Sequence, residues 1–173
     1  MALNGMLKIV GEMQGQIKGS VTQKGRENLI KVMAADHQVG AAADAATLQI
    51  VGKRLFTPFT IIKEVDLASI GLRRALATNE SLKEWELKLW RVGSAGAGAG
   101  IERNHFTIRL SDARVLRIKF VLPDTRDSEL AARLDCEEVA FIYKKISWSW
   151  NDPSAVHDDV VVAGTNPAIR KRR

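Results

Sequence analysis

The sequence predicts a mainly β protein, an antiparallel sandwich or barrel with one short helix. Three observations carry that expectation. Most of the 173 residues alternate apolar and polar side chains with a period of two, the pattern of half-buried strands. One segment alone switches to a three-and-four spacing. Apolar residues make up 46% and charged residues 27%, enough to build a core and too much for wholesale disorder.

The elements follow in chain order. Leu7, Ile9, Gly11 and Met13 alternate with Lys8, Val10 and Glu12. Ile30, Val32 and Ala34 alternate with Leu29, Lys31 and Met33, a strand with apolar groups on both faces. Residues 38–53 are rich in Ala and Gly around Asp44 and Thr47 and read as a long irregular loop, which in a compact domain is functional or mobile. Leu55, Phe59, Ile61 and Val65 share one face of the next segment, opposite Thr57, Thr60 and Glu64. A helix of about ten residues follows from Asp66 or Ser69, with Leu72, Ala75 and Leu76 on one side and Asn79 as its stop; Gly71 weakens it.

Strands resume at 81–92, where Trp85, Leu87 and Leu89 alternate with Glu84, Glu86 and Lys88. The glycine–alanine run at 93–100 reads as a flexible connection. Phe106, Ile108 and Leu110 mark one further strand, and Leu116, Ile118, Phe120 and Leu122 another. In 138–150 the apolar face passes from Val139, Phe141 and Tyr143 to Ile146, Trp148 and Trp150, which places a bulge or twist near Lys144 and Lys145. The chain therefore divides into a body at 1–151 and a tail at 152–173.

Charge and targeting signals narrow the function classes. The formal charge is +6 and the pI about 9.7, but Arg170, Lys171, Arg172 and Arg173 carry four of the positive charges. Without them 22 basic residues face 20 acidic ones, so the basicity belongs to the terminus and not to a nucleic-acid-binding face. Neither a leader peptide nor an apolar run of about 18 residues is present, so we expect folding in the cytosol and no membrane insertion.

Sites with chemistry are scarce. The glycine run leads into a strand and lacks a third glycine at the dinucleotide spacing, so it is no phosphate loop. Cys136, the one cysteine, cannot form an internal disulfide; it lies among acids that oppose thiolate formation, and His37, His105 and His157 show no ligand or catalytic spacing with it. Neither Glu84 with Glu86 nor Glu137 with Glu138 resembles an acid–base dyad. We expect no enzyme, cofactor or metal. Trp85 reads as core, whereas Trp90 stands on the polar face and suggests a protein interface.

Residues 52–66 (GKRLFTPFTIIKEVD) followed by a short helix resemble a hallmark of the haemolysin-coregulated protein (Hcp) family, the tube subunits of bacterial type VI secretion systems. Residues 82–91 (LKEWELKLWR) and 137–150 (EEVAFIYKKISWSW) are similar to the family's strand after the helix and its closing strand, and 15–21 also fit. The resemblance spans about 5–150. It implies an antiparallel two-sheet β-barrel with one short α-helix on its side, assembled as homohexameric rings that stack into a tube. A sheath and baseplate drive such a tube, tipped by a spike protein, out of the cytoplasm without a signal peptide, and small effector proteins travel in the lumen.

The resemblance makes the loop residues Gly40, Ala41, Asp44, Thr47 and Lys53 candidates for contact between rings. Asp36 and His37 become candidates for the lumen, where Ala34, Ala35, Asp36 and His37 replace the aromatics usual in the family. Glu84, Glu86, Lys88 and Trp90 become candidates for the subunit interface. The alternative is a monomeric β-sandwich that binds a ligand through its exposed tryptophans; a nucleic-acid binder acting through 170–173 is the remaining rival.

Overall fold

Two antiparallel sheets face each other across one apolar core in this computed structural model, which describes residues 3–47, 49–92, 100–127, 134–151 and 154–161. The larger sheet is formed by β1 (Gly5–Gly11), β2 (Gly15–Gln16), β3 (Ile30–Val32), β8 (Leu82–Val92), β9 (Glu102–Ser111), β12 (Lys145–Asn151) and β13 (Ser154–Val160). Its order is β13-β12-β9-β8-β1-β2, with β3 also on β1. The smaller sheet runs β10 (Arg114–Val121), β11 (Cys136–Ile142), β7 (Phe59–Glu64) and β4 (Ala34–Asp36). β5 (Val39–Ala43) and β6 (Ile50–Phe56) pair only with each other. The mainly β, antiparallel expectation therefore holds, with one helix, α1 (Ala68–Ala77), among the described residues. No described helix is long and apolar enough to cross a membrane.

The core is the meeting of the two inward faces. Leu7, Ile9, Trp85 and Leu87 from the larger sheet pack against Phe59, Ile61, Val139 and Phe141 from the smaller, all essentially without exposure. Trp85 stands edge-on between Phe59 and Phe141, with ring centroids 4.9 and 5.5 Å away. Such aromatic contacts add about 0.5–1.5 kcal/mol beyond area burial. α1 begins where Asp66 Oδ1 accepts the Ala68 amide at 3.0 Å, and it buries Ala68, Leu72 and Ala75.

Several expectations are corrected. The strand at 29–35 is two strands in two sheets. β3 pairs with β1, the Met33 amide then donates to the Ile62 carbonyl, and β4 pairs with β7. β3 turns Ile30 and Val32 into the core, whereas Met33 and the whole of β4 beyond the crossing stay exposed, so the second apolar face is not a second buried one. The irregular loop at 38–53 is the β5–β6 hairpin. Its exposed Ala- and Gly-rich strands carry no polar–apolar alternation for the periodicity to register. The core-facing residue before the Pro58 bend is Phe56, 1% exposed, and not Leu55, 50% exposed.

In β10 a register shift between Val115 and Arg117 turns Val115 inward in place of Leu116 and leaves Phe120 half exposed. The phase change near Lys144 is the corner at which the chain leaves β11 in one sheet for β12 in the other. Residues 154–160, expected as tail, form β13 along the whole of β12. The register sets Trp148 opposite His157 and brings Lys145 to 2.6 Å from Asp158, so the polar run at 157–159 is held by cross-strand pairing. The glycine–alanine run at 93–99 and the basic terminus at 170–173 lie outside the described residues.

Candidate assembly surfaces

The β5–β6 hairpin is tied to the body at its root. The Gln38 amide donates to Thr57 Oγ1 at 2.8 Å, the Thr57 amide donates to the Gln38 carbonyl at 3.0 Å, and Arg54 reaches Asp159 on β13 at 2.8 Å. At its tip Asp44 Oδ1 accepts the amides of Ala46 and Thr47, which hold its carboxyl below the usual carboxylate range. Gly40, Ala41, Asp44, Thr47 and Lys53 thus all lie on one arm. Ile50, 74% exposed, and Val51 and Leu55, about half exposed, give that arm an apolar surface that the chain itself leaves open.

Asp36 and His37 are neighbours on extended backbone and point to opposite sides. Asp36 lies exposed at the end of β4. His37 turns inward: its ring stacks on Phe59 at 5.3 Å and its Nε2 lies 2.5 Å from the Tyr143 hydroxyl. Burial lowers the His37 pKa, and burial together with the charge of Asp159 raises that of Tyr143. The contact is therefore a hydrogen bond between two uncharged groups, an imidazole and a phenol. Of the two lumen candidates, strand alternation leaves only Asp36 on an open face.

Glu84, Glu86, Lys88 and Trp90 all lie on β8, second from neither edge but inside the larger sheet, and each is already engaged. Glu84 pairs with Lys8 at 2.9 Å and Glu86 with Lys88 at 2.7 Å and with Arg109. Burial alone would raise the Glu86 pKa, but hydrogen bonds and charge from Lys88 and Arg109 outweigh it and the value falls below ordinary. Trp90 lies beneath the Arg26 guanidinium, 3.6 Å from its ring centroid, and Arg26 also pairs with Glu102 at 2.7 Å. Trp148 is stacked on His157 and Trp150 is beneath Arg91, so the tryptophans of the ligand-module reading are covered by their own chain.

Two polar clusters escaped the sequence reading. Lys63 is fully buried, its ammonium 2.7 Å from Asp66, 3.0 Å from Glu137 and 3.1 Å from Ser69 Oγ. Arg73 reaches the other oxygen of Glu137 at 2.8 Å. This cluster fastens α1 to β7 and β11. Near the other end of α1, Glu80 accepts the amides of Met13 and Gln14 at 2.7 and 3.0 Å and clamps the β1–β2 turn. A signal for the first cluster existed: Lys63 continues the inward face of Phe59 and Ile61, and Glu137 that of Val139 and Phe141. Cys136 is free and half-buried, and no metal-holding group of acids, His and Cys occurs among the described residues.

Comparison with known proteins settles the family. The family described as "Type VI secretion system effector, Hcp" matches residues 6–150. The chain belongs to the Hcp family. A curated relative, the major exported protein of Pseudomonas aeruginosa, is 30% identical over 158 residues, covering 86% of this chain and 90% of its own. A tryptophan double mutant of Hcp1 from the E. coli EAEC 042 pathovar superimposes with a TM-score of 0.78 at 29% identity, covering 91% of this chain and 98% of that one. The secreted protein Hcp3 from Pseudomonas aeruginosa gives a TM-score of 0.72 at 23% identity over 94% and 100% of the two chains, a likeness of fold. The Hcp membership thus rests on sequence and fold together, across both sheets and the helix.

Proposed function

We propose that this chain is a tube subunit of a type VI secretion system, assembling as homohexameric rings that stack into a tube and leave the cell with it. Membership of the Hcp family supports the role, and the name of the exported Pseudomonas relative supports secretion. The observation that carries the assembly reading is the β5–β6 hairpin. It pairs with neither main sheet and offers Ile50, Val51 and Leu55 to solvent, a surface suited to a second copy.

In this reading Gly40, Ala41, Asp44, Thr47 and Lys53 meet the next ring and Asp36 faces the channel, where small effector proteins travel. The spike, sheath and baseplate are the remaining partners. The role is mechanical and involves no cofactor. Because the charges of Glu86 and the ring of Trp90 are occupied within the protomer, the sheet edges are the stronger candidates for contact between neighbours in a ring. Light scattering tests the reading: we expect six times the 19.1 kDa chain mass. A monodisperse 19.1 kDa species across micromolar concentrations would overturn it.

A further inference from the structure

We infer that Asp36 of one copy pairs with Arg117 of the next across the free edges of their four-stranded sheets. This rests on the ring reading above and adds the residues that align neighbours. β4 and β10 are the two edge strands of the smaller sheet. Their registers place Asp36 opposite Thr60, Thr60 opposite Ala140 and Ala140 opposite Arg117. Cross-strand partners project to the same side, so one row begins in an acid at one edge and ends in a base at the other.

The row cannot close on itself. Three inter-strand steps of about 4.8 Å put its ends roughly 14 Å apart. Its middle residues are a threonine and an alanine, and a shallow cavity of 330 Å³ bordered by Asp36, Thr60 and Arg117 opens on this face. Asp36 makes no ion pair or hydrogen bond among the described residues. Arg117 pairs with Glu138 but keeps 62% of its side chain exposed. A guanidinium has five N–H donors, so it can serve a second carboxylate.

Charge selects how edges meet. Two β10 edges would bring Arg117 and Lys119 against their own copies, and two β4 edges would oppose Asp36 to Asp36, both unfavourable. Only β4 against β10 joins opposite charges. That contact is heterologous, so it repeats from copy to copy instead of stopping at a two-fold dimer, and it closes into a ring where the rotation per copy divides a full turn, as the ring reading requires.

Disulfide trapping tests the pair. In a Cys136→Ser background, Asp36→Cys combined with Arg117→Cys cannot form a bridge within one chain, because the Cα separation far exceeds the reach of a disulfide. Under mild oxidation we expect a ladder of covalent oligomers on a non-reducing gel, and none from either single substitution. Wild-type rings with no ladder from the doubly substituted chain, itself ring-forming by light scattering, would overturn the pairing and leave the ring reading intact. A wild-type protein that is monomeric would overturn both. Asp36→Asn removes only an exposed charge and guards against a folding failure. We expect the concentration at half-assembly to rise about threefold or more and to lose part of its salt dependence. An unchanged midpoint and salt response would count against the pair.

Discussion

The Lys63 ammonium lies 3.0 Å from a Glu137 carboxylate oxygen, and neither side chain reaches solvent. Each charge has further partners: Asp66 and Ser69 for the lysine, Ser69 and Arg73 for the glutamate. Removing one member leaves the other buried without full compensation, which costs about 3–5 kcal/mol in comparable pairs. Urea denaturation at fixed protein concentration should show such a loss for Lys63→Met and for Glu137→Leu. The double substitution should be less damaging than the two losses added together, because neither Lys63 nor Glu137 is left buried against an uncharged partner, and only Asp66 and Arg73, at the margin of the cluster, lose a counter-ion. Strict additivity would show that the two groups do not depend on each other.

The same cluster makes the fold acid-sensitive. Burial pushes the Glu137 pKa up, but hydrogen bonds from Ser69 and Lys63 and the charges of Lys63 and Arg73 bring it below the ordinary 4.5. Glu80 and Glu86 are lowered as well. A carboxyl whose folded pKa is depressed contributes stability that is present above its unfolded pKa and lost as pH falls through the folded one. Urea midpoints should therefore hold from neutral pH down to about pH 5 and drop steeply below about pH 4. Glu137→Gln should start lower and fall less steeply. A parallel curve for that variant would assign the acid sensitivity elsewhere.

Gly71 offers a case in which local propensity and packing oppose each other. Alanine in place of a helical glycine gains up to about 1 kcal/mol. At this position, however, a Cβ would lie 2.8 Å from Ile17 Cγ2 and 3.3 Å from Gln14 Oε1. Ile17 is 4% exposed and β-branched, so it cannot swing away. Overpacking of this kind costs about 1–3 kcal/mol. We expect Gly71→Ala to lower the thermal midpoint despite its better helix propensity; a raised midpoint would show that α1 can lift off the β1–β2 turn without cost.

At the root of the hairpin, Tyr143→Phe should leave His37 Nε2 without its hydrogen-bond partner while keeping the aromatic packing. A hydrogen bond of this kind contributes about 0.5–1.5 kcal/mol. The expected result is a small loss of stability together with faster amide exchange at 39–56, the segment whose base His37 precedes. Unchanged exchange there would show that the hairpin is held by Thr57 and Arg54 alone.

What could be read from the sequence tracks the physics that produces periodicity. β1, β8 and β9 turn an apolar side to the core and a more polar, less completely buried side away from it, and their alternation shows this, as the three-and-four spacing shows α1. The corner between β11 and β12 was visible as a change of phase at Lys144. The hairpin was invisible because both its faces are exposed, so nothing in Ala42 or Gly40 distinguishes in from out. β13 was hidden by its charges, which cross-strand partners satisfy. Lys63 and Glu137 were read past because a charge suggests a surface, although each continues an apolar inward row. Of the candidate site, the segment 38–53 stands out in the sequence by its length and composition; the place of Asp36 on an edge strand of the smaller sheet depends on sheet order, which the sequence does not display.

The arm and the body should separate cleanly under deletion. Phe56 is the one side chain of β5 or β6 that belongs to the core, and the pairing nearest the body joins Val39 to Phe56 and Gly40 to Leu55. Removing residues 41–47 keeps those pairs, keeps Arg54 within the loop that remains, and discards the tip built around Asp44 and Thr47. The four-stranded sheet and its edges are untouched. In the proposed assembly, contacts within a ring should therefore survive while contacts between rings are lost. Light scattering of the deletion variant should report the same ring mass as the full chain, and electron microscopy should show rings without tubes. Normal tubes from this variant would place the stacking contact elsewhere. Monomers would instead mean that the arm holds neighbours within a ring, and the free edges of β4 and β10 would not suffice.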